Sequence, residues 1–306
     1  MSVVLLCGIP TESPLQLVIE AAERRGNETV LFNQREAQHI DMQLGVDAGR
    51  LIATLYVCGT TYDLNSISGV YVRLMDHSRL PENCASRAEC ASEAIVKSYW
   101  LHQTFAEWLE LTSCRVMNRA RDMASNVSKP YQAQLIRRSG FSIPPTLVTN
   151  DPVAVAAFRR ANRRIIYKST SSIRSIVREL TDDDLARVRN LPTQFQAYIE
   201  GTNIRVHVTG QKLFATEIQS EAIDYRYAAR DNLDVDMVPI ELPEEIQRRC
   251  FELSHRLCLP LCGIDLKRTP EGEYVCFEVN PSPAFSYYQS ITGQPIADSI
   301  LDYLVS

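Results

Sequence analysis

Gly263–Pro283 reads GIDLKRTPEGEYVCFEVNPSP, and this stretch decides the fold. It carries an acid, Asp265, then a turn, then Glu278 and Asn280 separated by one residue. Gly263 to Leu266 and Tyr274 to Val279 are expected to be strands, and Thr269-Pro270-Glu271-Gly272 has the chemistry of a turn. Side chains alternate across a strand, so Glu278 and Asn280 share one face, and a hairpin brings Asp265 alongside them. Two carboxylates and an amide oxygen, with no Cys or His among them, suit Mg²⁺ rather than zinc. The alternative is an acidic hairpin with a solvated face.

Upstream, the local patterns alternate between strand and helix. Val3 to Cys7 is an apolar run ending in Gly8; Pro14 to Arg25 has helical spacing with a stop at Gly26. Further strands are expected at Glu28 to Phe32 and Gly69 to Leu74, which gives a small, mostly parallel α/β domain. Ligands tend to sit at the strand ends of such a sheet, which draws attention to Arg73, although a salt-bridged arginine is the plainer reading. Ala85 to Leu111 reads as a long amphipathic helix whose Trp100 and Trp108 serve packing. Val116 to Asn118 closes this region as a short strand.

Ser128 is expected to cap a helix that ends at Gly140. A strand follows at Ile143-Pro144-Pro145-Thr146, a helix from Asp151-Pro152, and strands at Arg164 to Lys168 and Phe195 to Ile199. Ile204 to Ser220 reads as a hairpin turning at Thr209-Gly210. A helix from Pro243 to Leu259 leads into the opening hairpin, and Gly293 to Val305 ends the chain as a helix. Lys168 precedes a run of mostly small polar residues, Ser169 to Ser175. Such a loop can wrap phosphates with backbone N–H groups while a lysine supplies charge.

Composition narrows the classes. At 306 residues, 45% hydrophobic and 23% charged, the chain can bury two or three cores and is ordinary for a globular protein. A net charge of −5 gives no reason to expect a nucleic-acid partner. No apolar run is long enough to span a bilayer, and MSVVLLCGIP reads as a first strand rather than a signal peptide. Nine scattered cysteines with no CxxC pair suggest reduced, buried thiols in a cytoplasmic protein.

Lys129, Lys168, the Gln196 to Ile199 strand, Arg205, Arg226 and Asp265…Glu278-Val279-Asn280 arrive in an order that resembles the ATP-grasp superfamily. The nearest resemblance is to its ribosomal-protein glutamate-ligase-like branch, which includes macrocyclising ligases of ribosomal peptides. It covers roughly residues 116 to 305. Its most specific pieces are KPYQAQLIRRSGFSIPPT, with Lys129, Gln134, Gly140 and Pro144, and EVNPSPAFSYYQSITG, with Glu278, Asn280, Pro281 and Pro283.

The resemblance implies an α/β ATP-grasp fold in three parts: an N-terminal, mostly parallel α/β domain (1–118), a central lid subdomain (119–198), and a C-terminal antiparallel-sheet subdomain (199–306) with the metal site. It implies that Lys129, Lys168, Ser171 and Ser172 hold the phosphates of ATP. Gln196, Ala197, Tyr198 and Ile199 would lie against adenine, and Asn203 near the ribose. Asp265, Glu278 and Asn280 would bind Mg²⁺ as two ions, with Glu278 bridging them, and Arg205 and Arg226 would stabilise transferred charge. The implied chemistry is amide formation through an acyl phosphate, on amino-acid, peptide or protein substrates, in a chain that can form homo-oligomers. A catalytically inactive nucleotide-binding module is the alternative.

Three departures are visible. Ser169 to Ser175 lacks the glycines common in relatives, Ala197 stands where an acid is frequent, and Asn203 replaces an aspartate that meets ribose, with Glu200 as a possible substitute.

Overall fold

Val3–Gly8 (β1) is apolar on both faces, as a strand covered from both sides requires, and it is the centre of a parallel sheet. The computed structural model describes residues 2–84, 93–169, 178–185, 187–220 and 235–306. β1 pairs in parallel with Glu28–Asn33 (β2) on one side. The helix Ser13–Arg25 makes that crossover and stops at Gly26, which takes a left-handed conformation.

Between β2 and the next parallel strand the chain makes an antiparallel three-stranded sheet: Ile40–Asp47 (β3), Arg50–Val57 (β4) and Thr60–Asp63 (β5). Ile67–Arg73 (β6) then pairs with β1, and Arg115–Met117 (β7) pairs with β6, giving the order β2-β1-β6-β7. The described part of the long helix expected from Ala85 is Glu93–Leu111. Its Phe105 and Trp108 are buried with Phe32, Leu55 and Val70, whereas Trp100 is 61% exposed and does not serve packing.

The chain divides into two compact units. The first comprises segments 1–123, 284–289 and 295–306, so the closing helix Ile296–Val305 belongs to it, although it falls within the 199–306 region. That helix packs on Ser13–Arg25 and β6, and Arg24 and Arg25 bond to Asp298 and Asp302.

The second unit, segments 124–283 and 290–294, holds two antiparallel sheets. One has the order β10-β9-β11-β8, built from Thr146–Thr149 (β8), Ile165–Ser169 (β9), Arg178–Glu179 (β10) and Thr193–Ala197 (β11). Phe195, Ile165, Leu180 and Val188 form its core with Val155 of the helix Pro152–Asn162, whose N-terminus is capped by Asp151. The other sheet contains Thr202–Thr209 (β12), Lys212–Gln219 (β13), Asp236–Ile240 (β14), Leu261–Arg268 (β15) and Tyr274–Asn280 (β16), in the order β14-β13-β12-β15-β16.

The two faces of this five-stranded sheet differ. Ile204, Val206, Cys262, Ile264, Leu266 and Val279 are buried, and the helices Lys129–Arg138 and Glu244–Arg256 pack on their strands. The residues between them, Arg205 and His207 on β12, Asp265 and Lys267 on β15, are polar and line the opposite face.

Candidate active site

A plain hairpin would not assemble the acids. Pairing at the turn sets Leu266 against Cys276, and continuing that register would place Phe277 opposite Asp265. A β-bulge between Asp265 and Leu266 adds one residue on β16, so that Glu278, not Phe277, faces Asp265, and Asn280 faces Gly263. Because a one-residue slip reverses every side chain, the bulge is what puts the two carboxylates and Asn280 on one face.

Among the described residues, three cations meet these acids. Arg205, the β12 partner of Asp265, donates from Nη1 to Asp265 Oδ1 at 2.6 Å. Lys129, in the first turn of its helix, places Nζ 3.3 Å from Glu278 Oε2 and 2.8 Å from Asn126 Oδ1. Lys168, near the end of β9, places Nζ 3.7 Å from the same Glu278 oxygen. Two ammonium groups from separate elements therefore converge on one carboxylate. Among the described residues, Arg205, Lys129 and Lys168 bring positive charge to the face that carries Asp265 and Glu278, a setting that suits a polyanion beside the acids.

The segment expected to meet adenine spends part of its hydrogen-bonding capacity within the protein. Gln196 is buried and its side chain donates to Thr146 Oγ1. The amides of Ala197 and Tyr198 donate to the carbonyls of Pro145 and Arg164, so two of the four residues expected to meet adenine have their N–H groups committed to the protein. Asn203 lies on β12 opposite Lys267. Glu200 is exposed and lies 3.8 Å from Arg164. Arg226, Ser171 and Ser172, with the rest of the 170–175 part of the phosphate loop, lie outside the described residues. In the first unit Arg73 is ion-paired with Glu12, its Nε 2.8 Å from Glu12 Oε2, which agrees with the salt-bridge reading.

Several residues in and around the candidate site escape a reading of the sequence. Lys267 donates to the carbonyl of Ile199 at 2.9 Å and lies 5.1 Å from the Tyr198 ring centre, while Arg164 covers that ring at 4.0 Å. Burial, with Arg164 nearby, lowers the Lys267 pKa. Its position two residues past Asp265 was the available signal, since alternation puts both on one face. Gln132 is buried and grips Val279 twice, donating to its carbonyl at 2.8 Å and accepting from its amide at 3.0 Å. Gln134, singled out in the sequence, is exposed. His207 is fully buried beside Arg205. Nothing local marks either Gln132 or His207.

The donor chemistry fits Mg²⁺. Asp265 and Glu278 face each other with hard oxygens, and Asn280 Oδ1 is held by the amide of Ser282, which fixes its orientation.

An antiparallel sheet carrying paired acids, with lysines from a second antiparallel sheet and from a helix start brought to them, is the arrangement that the resemblance to ATP-grasp proteins implies. Residues 134–304 match the RimK-like ATP-grasp domain, which is more than half of the sequence, and the chain belongs to that family. It is 25% identical over 222 residues to beta-citrylglutamate synthase B of Homo sapiens, covering 66% of this chain but 56% of that protein, so it spans about half that relative's length. In structure it resembles a Chryseobacterium gregarium RiPP-associated ATP-grasp ligase in complex with ADP and a leader and core peptide. The TM-score is 0.83 at 24% identity, over 99% of this chain and 96% of that one. It also resembles the ATP-grasp ligase PsnB complexed with minimal precursor, Mg and ADP, with TM-score 0.79 and 24% identity over 99% and 97% of the chains. Both likenesses establish the fold.

Proposed function

We propose that this protein is an ATP-dependent carboxylate–amine ligase that releases ADP and phosphate. The observation that carries the reading is the convergence of Lys129 and Lys168 on Glu278, on the face that also presents Asp265 and Arg205.

A carboxylate is a poor electrophile because its leaving group would be oxide. In the proposed reaction a carboxylate oxygen attacks the γ-phosphorus of ATP, and the bond to the β-phosphate oxygen breaks to release ADP. An amine then attacks the acyl carbonyl, phosphate leaves, and the nitrogen loses its proton to give the amide. Lys129 and Lys168 would hold phosphate oxygens by charge and hydrogen bonds, exchanging Glu278 for nucleotide. Arg205 would meet the charge that builds on the transferred phosphoryl group and the oxyanion, joined by Arg226. Asp265, Glu278 and Asn280 would hold Mg²⁺, which supplies charge neutralisation to the phosphates. Ser171 and Ser172 would add backbone donors, and Tyr198 and Ile199 would flank the base, with Asn203 or Glu200 toward the ribose.

The substrates are proposed to be amino-acid, peptide or protein carboxylates and amines. Of the two ligase structures above, one holds a leader and core peptide and the other a minimal precursor, which supports a peptide substrate. Seven described cysteines are all free thiols, which supports a cytoplasmic setting. No helix among the described residues is long and apolar enough to cross a membrane.

Hydroxylamine intercepts acyl phosphates. The protein with ATP, Mg²⁺, hydroxylamine and a panel of glutamate-bearing amino acids and peptides should yield a hydroxamate and an equal amount of ADP. Hydroxamate formed with AMP and pyrophosphate would overturn the reading.

A further inference from the structure

Arg205 does not reach straight out from β12. Its guanidinium folds back along the strand, with Nη1 on Asp265 and Nε 3.4 Å from His207 Nε2. It lies over Gly263, the residue that pairs with His207 across the ladder. A methyl group at position 263 would sit 2.5 Å from the guanidinium carbon and 2.8 Å from Nε, well inside contact distance. Gly263 is not in the left-handed region, so the backbone does not call for glycine there; the arginine above it does.

His207 is fully buried, yet it stands two residues from an arginine on the same face. Burial, and then the Arg205 charge, hold its pKa well below the ordinary histidine value. The ring is therefore neutral and offers one nitrogen lone pair as an acceptor, a role that a protonated ring or an aliphatic side chain could not fill.

We propose that His207 and Gly263 are positioning residues that fix the guanidinium plane of Arg205: Gly263 provides the trough, His207 accepts from Nε, and Asp265 accepts from Nη1. An arginine has many rotamers, and a charge stabilises a transition state only where it is already aimed. Held at two edges and beneath its plane, Arg205 presents one orientation to the phosphoryl group. This inference rests on the assignment of Arg205 to phosphoryl charge, and the experiment separates the two.

The full-length chain labelled with ¹⁵N-arginine would be examined by NMR, with Arg205→Met identifying the Arg205 Nε–H signal. That signal should be protected from exchange in the wild type and in His207→Gln, whose amide reaches the place of Nε2, and lost in His207→Leu, which only fills the volume. Calorimetry would compare affinity for Mg·AMPPNP with affinity for Mg·ADP. The ratio should fall about tenfold or more in Arg205→Met, His207→Leu and Gly263→Ala, and stay near wild type in His207→Gln. An unchanged ratio in Arg205→Met would remove the assignment of Arg205 itself. A lowered ratio there, with His207→Leu and Gly263→Ala like wild type, would overturn the positioning roles alone. Equal damage from His207→Gln and His207→Leu would show that His207 serves packing, which also overturns its part. Should Gly263→Ala fail to fold, the His207 pair decides the outcome.

Discussion

Glu278 has two ammonium groups within ion-pair distance of one oxygen, Lys129 Nζ at 3.3 Å and Lys168 Nζ at 3.7 Å. A carboxylate so placed holds two cations where the proposed function puts phosphates and metal, and its charge is what the neutral isostere lacks. Glu278→Gln is expected to reduce ATP turnover by orders of magnitude while leaving the folded state intact. Steady-state ADP release and circular dichroism on the same sample would check both halves. Lys168→Ala and Lys129→Ala should each weaken binding of Mg·ATP, seen as a raised Kd in calorimetry, since each removes a charge from a partly closed site. At this scale the residues that come together were legible as candidates: Asp265, Glu278, Asn280, Lys129, Lys168 and Arg205 all carry charge or hard oxygens in motif order. His207 and Gln132 were not, because a polar residue inside a core-like run shows its purpose only when its partner, distant in sequence, is known.

At the scale of elements, the hairpin β15–β16 depends on a clamp from outside itself. Gln132 fills both hydrogen-bonding positions of Val279, the residue between Glu278 and Asn280. Gln132→Ala would leave a buried carbonyl and amide without partners, at a cost of roughly 2–4 kcal/mol. Urea unfolding should show that loss; a midpoint unchanged within error would mean that the clamp contributes nothing.

The bulge next to Asp265 was beyond a sequence reading, because β16 is regular in composition and its extra residue, Phe277, looks like any strand aromatic. The antiparallel sheet β3–β5 was missed for a related reason. Its two tight turns are Ala48-Gly49 and Cys58-Gly59, with φ of 46° and 51° at Ala48 and Cys58. Hairpin turns of this kind usually announce themselves as Asn-Gly or Asp-Gly. Alanine in the left-handed region is strained, so Ala48→Asn should stabilise the first unit by about 0.5–1 kcal/mol, read as a higher Tm.

Across the whole molecule, the buried thiols set a pH limit. Burial pushes Cys262 up to about 12 and also raises Cys7, Cys250 and Cys276. A group whose pKa is raised by folding stabilises fully below its unfolded value and loses that stabilisation as pH rises. Near pH 9 the unfolded chain releases thiol protons that the folded chain keeps, so stability should fall above that pH, by up to about 1.4 kcal/mol per pH unit for each such thiol. Urea midpoints from pH 8 to 10 would show it, and a flat profile would contradict the burial of these cysteines.

Strand–helix order revealed the parallel sheet of the first unit, because β1 and the helix after it are purely local patterns. The return of Ile296–Val305 to that unit was not visible, since its Asp298 and Asp302 find Arg24 and Arg25 more than 270 residues away.

The most direct test of ligation through an acyl phosphate follows oxygen atoms. With a peptide substrate whose glutamate carboxylates carry ¹⁸O, each turnover should move one ¹⁸O into inorganic phosphate, detected by ³¹P NMR, with ADP as the only nucleotide product. Label appearing in AMP, with pyrophosphate released, would contradict it.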